Sequence, residues 1–302
     1  MKATVEALPL SIPSERSLLS VISDLVKARL TFLVLLTTMV GLYLGMQGPM
    51  DYLLMIHTLL GTALVAGGSS ALNQLLERDY DALMHRTASR PLPSGRMTPE
   101  AVLVFGSGIS AVGLVYLALA VNPLTSFLGA LTLVSYLFFY TPLKRVTSLN
   151  TAIGAIPGAL PPLMGWTAAR GQINAEGWAL FAILFFWQLP HFLAIAWMYR
   201  DEYARAGYAM LPVFDPDGQR TSRQTVLHTL GLLPVSLFPF LFKTVGPVYC
   251  LGALILGLMF LGFALAFSRQ MTHARARHLF YASIIYLPLL LGLMVLDKIK
   301  NY

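Results

Sequence analysis

Apolar residues along this chain are gathered into long runs, and the charged residues are confined to the stretches between them. A run of about 18 or more residues without charges is long enough to cross a bilayer as a helix. The pattern predicts nine such helices, at about residues 29–46, 53–76, 101–121, 124–143, 148–167, 176–199, 224–243, 246–268 and 279–296. Residues 101–143 form one uncharged run, which Asn122-Pro123 is expected to divide into two helices.

The predicted fold class is therefore all-α: a polytopic membrane protein with a bundle of nine transmembrane helices. The bilayer core admits only helices or closed barrels, and no ten-residue alternating pattern appears. The 302 residues are 56% hydrophobic and 12% charged, against about 25% charged in soluble domains, and the mean hydropathy is +0.67. The expected parts are an N-terminal segment (1–28), a membrane domain (29–296) with polar loops at 77–100 and 200–223, and a tail (297–302).

The distribution of basic residues between the connecting segments predicts that the N-terminus is cytoplasmic. With that orientation, every Lys and Arg lies on the cytoplasmic side except Arg170, Lys243, Lys298 and Lys300, as the positive-inside rule requires. The net charge of +7 is accordingly a signal of topology, and nucleic acid is not an expected partner. The single cysteine, Cys250, excludes an intramolecular disulfide.

Three oxygen-bearing side chains recur at four-residue intervals where the second predicted span ends: Asn73, Glu77 and Asp81. On a helix they share one face, with roughly 6 Å between neighbours. Such a row at a membrane boundary is costly unless a cation holds it together, and Mg²⁺ bound to a diphosphate fits that need. The alternative is an ordinary helix end that reaches water.

Basic and aromatic side chains follow on the same predicted face of the membrane. Arg86 and Arg90 offer planar donor forks suited to phosphate oxygens, although they could equally anchor the loop to lipid headgroups. Tyr140 and Lys144 are one helical turn apart, so the hydroxyl and the ammonium could touch one anion. The alternative for this pair is an aromatic-belt tyrosine followed by a stop-transfer lysine.

The sixth predicted span carries further polar residues. Pro190 is expected to kink it, and His191 follows in the middle of the span, either as a ligand or as a hydrogen-bonded core residue. Asp201 and Glu202 form a second acidic cluster at its end. Residues 154–162 contain three prolines among small residues, so the fifth span is expected to be broken, which would let a bulky substrate approach.

These motifs together resemble the UbiA superfamily of intramembrane prenyltransferases, and more closely its haem O synthase branch. The superfamily's first motif, Asn-x-x-x-acid-x-x-x-Asp and then Arg-Thr-x-x-Arg-Pro-Leu, is matched by Asn73, Glu77, Asp81, Arg86, Thr87, Arg90, Pro91 and Leu92. Its Tyr-x-x-x-Lys element is matched by Tyr140 and Lys144, and the haem branch is matched by Pro190-His191-Phe192 and by residues 201–212. The likeness covers about residues 20–295. Two departures are Glu77, where most of the superfamily has aspartate, and the lack of a clean Asp-x-x-x-Asp on the sixth span.

The resemblance implies farnesyl diphosphate and haem b as substrates, Mg²⁺ as cofactor, and haem o and diphosphate as products. The expected catalytic residues are Asn73, Glu77, Asp81, Lys144 and Asp201. The expected metal ligands are Asn73, Glu77, Asp81, Asp201 and Glu202. Diphosphate is expected to contact Arg86, Arg90, Tyr140 and Lys144, and haem to contact His191.

The resemblance also implies a multi-pass protein of the bacterial inner membrane with its active site on the cytoplasmic side. Membrane lipid is an expected partner, and a haem A synthase or a terminal oxidase is a further candidate. Three other readings stay open: a prenyltransferase acting on a quinone precursor or chlorophyllide, a transporter that uses broken helices, and a non-catalytic assembly factor for a terminal oxidase.

Overall fold

The computed structural model describes residues 17–299, which form helices with one isolated β-bridge between Val245 and Lys298. In chain order the helices are α1 (Leu18–Leu25), α2 (Ala28–Gly45), α3 (Tyr52–Asp81), α4 (Pro99–Ala120), α5 (Pro123–Val134), α6 (Thr141–Leu143), α7 (Asn150–Arg170), α8 (Ala175–Met198), α9 (Arg200–Arg205), α10 (Gln219–Leu241), α11 (Pro247–Arg269) and α12 (His273–Leu296). A π-helical turn, Ser135–Tyr140, joins α5 to α6, and a 3₁₀ turn, Leu211–Phe214, precedes α10.

Within the described residues, eight helices are long and apolar enough to cross a membrane. They are α2, α3, α4, the continuous stretch from α5 to α6, α8, α10, α11 and α12. The all-α, multi-pass fold class is thereby confirmed. The helix α7 corresponds to the fifth predicted span, 148–167, but its prolines, glycines and threonines lower its apolarity. A ninth crossing and the cytoplasmic N-terminus stay predictions.

The expected break in the fifth predicted span is wrong, because α7 runs without interruption from Asn150 to Arg170. Pro157, Pro161 and Pro162 all lie inside the helix and are buried. A proline removes a backbone hydrogen bond, but a transmembrane helix tolerates this where neighbouring helices enclose it. The helix α7 is enclosed in this way, since it packs against α2, α5 and α8.

Small residues bring α2 and α7 into backbone contact. A Cβ atom added at Gly41 would fall on the backbone of Pro162, and one added at Gly165 would fall on the Thr38 carbonyl. Glycine at a helix crossing permits this close approach, which is a common means of packing helices in membranes. The stretch 154–162, which the sequence linked to substrate access, therefore ends at Pro162 in a contact between two helices.

The second half of the bundle is made by α8, α10, α11 and α12 around a buried aromatic core. Two tyrosines of this core are hydrogen-bonded inside the protein: the Tyr249 hydroxyl donates to the Ser236 carbonyl over 2.6 Å, and the Tyr286 hydroxyl lies 2.8 Å from the Ser236 hydroxyl. Burying these hydroxyls without partners would be costly in such an apolar setting.

Two helix ends differ from the predicted boundaries and decide where polar groups lie. The helix α3 continues to Asp81, beyond the apolar run, so Glu77 and Asp81 are helical rather than part of a loop. The segment expected as a loop at 200–223 contains α9, the 3₁₀ turn and the start of α10. Helix α1 is tied to the same end of α3, because Gln74 Nε2 donates to the Leu25 carbonyl over 2.7 Å. Residues 1–16 and 300–302 of the expected terminal segments lie outside the described residues.

Candidate active site

The last turns of α3 place Asn73, Glu77 and Asp81 on one buried face, as their spacing predicts. Their exposed fractions are 0%, 5% and 1%. Asp79 lies about 200° away around the helix and its side chain is 80% exposed. The amphipathic end of α3 therefore separates three inward oxygen-bearing groups from one solvated carboxylate.

Each buried carboxylate has a basic partner from another segment. Lys144 Nζ lies 2.7 Å from Glu77 Oε1, and Arg90 Nη1 lies 2.5 Å from Asp81 Oδ2. Burying an isolated carboxylate is strongly unfavourable, whereas a hydrogen-bonded ion pair offsets much of that cost. The Glu77 carboxylate also raises the pKa of Lys144 above its usual value, although burial of the ammonium opposes the shift.

Asn73 is held from two sides. Its Oδ1 accepts a hydrogen bond from Lys27 Nζ over 2.9 Å, and its Nδ2 donates to Thr141 Oγ1 over 3.1 Å. Lys27 joins α1 to α2 and has a positive φ of 47°. Burial, together with the neighbouring charge of Arg90, lowers the pKa of Lys27 to about 7.

These groups converge on a small polar pocket of about 80 Å³. It is lined by Lys27, Asn73, Glu77, Asp81, Met84, Arg86, Arg90, Tyr140, Lys144, Tyr203, Tyr208 and Met210. Four basic side chains thus face two carboxylates. A pocket with such an excess of positive charge is suited to binding an anion with several oxygens.

Tyr140 and Lys144 lie together where the π-helical turn leads into α6. The Lys144 ammonium lies 4.4 Å from the centroid of the Tyr140 ring, a cation–π arrangement. The Tyr140 ring and the Lys144 ammonium are therefore neighbours, as their spacing of one helical turn predicts. The Tyr140 ring in turn packs where a Cβ atom of Gly154 would be.

Arg86 reaches the pocket from the loop between α3 and α4. It is exposed, and its Nη2 lies 3.5 Å from the Tyr203 hydroxyl. Its guanidinium also lies 5.6 Å from the centroid of the Tyr199 ring. Arg86 thus has few firm partners and is free to turn towards an anion, while Arg90 is already fixed on Asp81.

The structure does not bring the second acidic cluster into this pocket. The Asp201 side chain is 92% exposed, with its Oδ1 3.8 Å from Arg200 Nε. Glu202 is partly buried and its Oε2 has no partner among the described residues, yet it does not line the pocket. Helix α9 starts after a change of backbone direction at Tyr199, and it presents Tyr203 to the pocket instead. Metal roles for Asp201 and Glu202 stay predictions.

His191 lies apart from the pocket, between α8 and α12. Its Nδ1 is 2.7 Å from the Ser283 hydroxyl. Its ring stacks on Trp187 and on Phe280, with centroid distances of 5.1 Å and 5.0 Å. This is the hydrogen-bonded setting that the sequence left open as one alternative, and the proposed contact with haem stays a prediction.

Sequence reasoning missed several residues of the pocket, above all Lys27. The sequence placed Lys27 only among the cytoplasmic charges, because a lysine before an apolar run is common there. Tyr203 and Tyr208 were missed because they come from the connection after α8, whose path a hydrophobic pattern cannot give. One signal was present for this connection: its residues belong to the 201–212 run on which the resemblance partly rests.

The oxygen donors of the pocket fit Mg²⁺. Asp81 Oδ1 is buried and has no partner among the described residues, and Asn73 and Glu77 add an amide and a carboxylate on the same helical face. Mg²⁺ prefers oxygen ligands and commonly takes one or two carboxylates together with substrate phosphates. Residues 17–299 contain no cluster of three or more His, Cys, Asp or Glu side chains able to hold a metal unaided, so phosphate oxygens would have to complete the coordination.

A helical membrane bundle with a pocket lined by four basic side chains at the end of its spans defines an integral membrane protein with a site suited to an anion. The chain belongs to the UbiA prenyltransferase family, whose profile matches residues 34–287. The resemblance found in the motifs is thereby confirmed.

The chain is similar to known proteins over nearly its whole length. The chain is 49% identical to a protoheme IX farnesyltransferase of Solibacter usitatus, covering 91% of this chain and 97% of the relative. It is 44% identical to a protein of the same name from Koribacter versatilis, covering 99% of each.

Solved structures share the fold. A digeranylgeranylglyceryl phosphate synthase superposes with a TM-score of 0.80 at 16% identity, covering 94% of this chain and 99% of that one. A UbiA homologue from Archaeoglobus fulgidus bound to GPP and Mg²⁺ superposes with a TM-score of 0.64 at 15% identity, covering 91% and 99%.

Proposed function

We propose that this prenyltransferase moves a farnesyl group from farnesyl diphosphate to the 2-vinyl group of haem b, with addition of water, and releases haem o and diphosphate. The observation that carries the proposal is the polar pocket at the end of α3, where four basic side chains surround Glu77 and Asp81. The names of the relatives that align over nearly the whole chain support the choice of farnesyl donor and haem acceptor.

The first task of the pocket is to bind and hold the diphosphate. Lys144, Arg86 and Arg90 would neutralise its oxygens, since guanidinium and ammonium groups make strong charge-assisted hydrogen bonds to phosphate. Lys27, which the structure adds to this set, would contribute a further charge from the start of α2. The apolar farnesyl chain would then extend from the polar pocket into the membrane domain.

The second task is to stabilise the leaving group. When the bond between the allylic carbon and oxygen breaks, its electron pair leaves with the diphosphate and positive charge develops on the farnesyl chain. Preorganised positive groups at the departing oxygens lower the energy of that transition state. When bound at Asn73, Glu77 and Asp81, Mg²⁺ would supply further positive charge to the same diphosphate oxygens.

The acceptor completes the reaction. The π electrons of the haem vinyl group form a bond to the farnesyl cation, and water adds to the new cation with loss of one proton, which gives a hydroxyethylfarnesyl group. Aromatic faces on α8, including Trp187, could stabilise positive charge. His191 on the same helix is our candidate for contacting haem, as a ligand to iron or through its ring.

The active site is proposed to lie on the cytoplasmic side of the bacterial inner membrane. The pocket lies at the ends of α3 and α6, and the connections that follow these helices, 82–98 and 144–149, contain basic but no acidic residues. A transporter would place polar groups along a path through the membrane. Here the buried charged pairs gather at one end of the bundle, which favours an enzyme.

The nearest competing function is prenylation of a quinone precursor. Membranes containing the protein should be incubated with radiolabelled farnesyl diphosphate and either haem b or 4-hydroxybenzoate, with Mg²⁺ or with EDTA. We expect label in the haem fraction only, and only with Mg²⁺. Label in the 4-hydroxybenzoate fraction would favour the competing acceptor, and label in neither, with intact protein, would favour the assembly factor.

A further inference from the structure

A second cavity, of about 270 Å³, lies between α11 and α12 and shares no lining residue with the polar pocket. Its lining residues recur at intervals of three and four from Leu256 to Phe263 on α11 and from His278 to Tyr286 on α12. Each helix therefore contributes one continuous face. The cavity is thus a groove between the two helices, and at 1.5 Å per residue it extends for about 12 Å along α12.

The groove has an apolar floor and open sides. Phe260 and Tyr286 form the floor with exposed fractions of 1% and 2%, while Met259, Tyr281 and Ile285 on its sides are more than half exposed. The Tyr286 hydroxyl is engaged with Ser236, so the tyrosine offers its ring to the groove. Such a surface on a membrane helix suits a single hydrocarbon chain lying along the helix axes.

One end of the groove is basic. His278 lines it, and Arg275 lies on the same face of α12, seven residues before the lining residue Ala282. Both side chains are exposed, and Arg275 is in none of the ion pairs found among the described residues. The helices α10, α11 and α12 contain no Asp or Glu.

We propose that this groove is a binding site for an anionic phospholipid, with an acyl chain on the apolar floor and the phosphate group beside Arg275 and His278. A guanidinium binds phosphate oxygens through paired hydrogen bonds, and basic residues at a membrane surface favour anionic over zwitterionic lipids. The site is independent of the prenyl transfer reaction, because its residues are separate from those of the polar pocket.

The test uses the full-length protein in detergent and native mass spectrometry during titration with dioleoyl-phosphatidylglycerol or dioleoyl-phosphatidylcholine. We expect one phosphatidylglycerol to bind with about fivefold higher affinity than phosphatidylcholine, the effect of one basic residue near an anionic lipid. Arg275→Gln should abolish this preference. Arg277→Gln is the matched control, because Arg277 is equally exposed but about 200° around the helix from Arg275, and it should keep the preference.

A second substitution tests the apolar part of the proposed lipid site. Met259→Trp should fill the groove and weaken the binding of both lipids at least threefold, while circular dichroism shows unchanged helix content. Equal affinities of the wild-type protein for the two lipids would overturn the proposal. Equal losses in Arg275→Gln and Arg277→Gln would also overturn it, since they indicate diffuse attraction, as would displacement of the bound phosphatidylglycerol by one equivalent of haem.

Discussion

Arg90 Nη1 lies 2.5 Å from Asp81 Oδ2, while Oδ1 of the same carboxylate is buried without a partner among the described residues. One oxygen is therefore fixed by a cation and the other is available inside the pocket. We infer that this arrangement orients the carboxylate for a metal ion and keeps a guanidinium suited to phosphate directly beside it.

Replacing Asp81 by asparagine should abolish the reaction. Asp81→Asn keeps the shape of the side chain but removes the charge that Mg²⁺ requires, so we expect haem o formation to fall at least 100-fold. Chromatography with mass spectrometry of extracted haem measures the product. Asp79→Asn on the same helix is the control, because its carboxylate is exposed, and it should retain wild-type turnover. Turnover above one tenth in Asp81→Asn would remove the metal assignment.

Lys144 should act on the prenyl donor rather than on haem. Lys144→Met removes the cation that pairs with Glu77 over 2.7 Å and is expected to weaken farnesyl diphosphate binding at least tenfold, since hydrogen bonds to charged groups contribute about 1.5–3 kcal/mol. Haem affinity should change less than twofold. Both affinities can be measured by equilibrium titration of the purified protein.

Two controls make the Lys144 result specific. Arg145→Met removes the adjacent exposed charge, which contacts the Tyr80 hydroxyl, and should leave both affinities near wild type. The double variant Glu77→Gln with Lys144→Met tests whether a lone buried carboxylate causes the loss through destabilisation. A larger effect on haem than on farnesyl diphosphate would assign Lys144 to the haem propionates.

Lys27 should make diphosphate binding depend on pH above neutrality. Its pKa of about 7 means that the free protein loses this charge as the pH rises, whereas a bound anion would raise the pKa and keep the proton. Binding would then take up a proton, so affinity falls with increasing pH from about 7, by at most about tenfold per pH unit.

The control for Lys27 is arginine, which stays charged. The ratio of pyrophosphate affinities of the wild-type protein and Lys27→Arg cancels the titration of pyrophosphate itself. We expect this ratio to decrease between pH 6.5 and pH 9. A ratio that stays constant over that range would show that Lys27 does not titrate in contact with the ligand.

His191→Ala should alter haem binding if the ring contacts haem. We expect a shift of the haem absorption band and at least a tenfold loss of affinity, with farnesyl diphosphate binding unchanged. Ser283→Ala, which removes the hydroxyl 2.7 Å from His191 Nδ1 but keeps the imidazole, should give a smaller change. An unchanged spectrum and affinity in His191→Ala would leave this histidine as a packing residue.

The sequence predicted those parts of the molecule that depend on local periodicity. Apolar runs predicted nine spans, of which eight are found among the described residues as helices long and apolar enough to cross a membrane. The four-residue spacing placed Asn73, Glu77 and Asp81 on one face, because both patterns follow from helix geometry. The motif spacing also placed Arg90 and Lys144 in the same pocket.

What depends on tertiary contact could not be predicted. Lys27 enters the pocket through a left-handed turn between α1 and α2, and no pattern in the sequence marks that turn. The prolines of α7 predicted a broken helix because their effect was considered without the surrounding helices. Asp201 was expected beside Asp81, but the short helix α9 turns it towards solvent.

The central claim is that the end of α3 holds the diphosphate of the prenyl donor together with a divalent cation. The most direct measurement is a crystal structure with farnesyl diphosphate and Mn²⁺, in which anomalous scattering locates the metal. We predict a Mn²⁺ peak within coordination distance of Asp81 Oδ1, and diphosphate oxygens in hydrogen-bond contact with Lys144 and Arg90. A diphosphate bound elsewhere in the protein, with Arg90 still on Asp81 and no metal at Oδ1, would contradict the account.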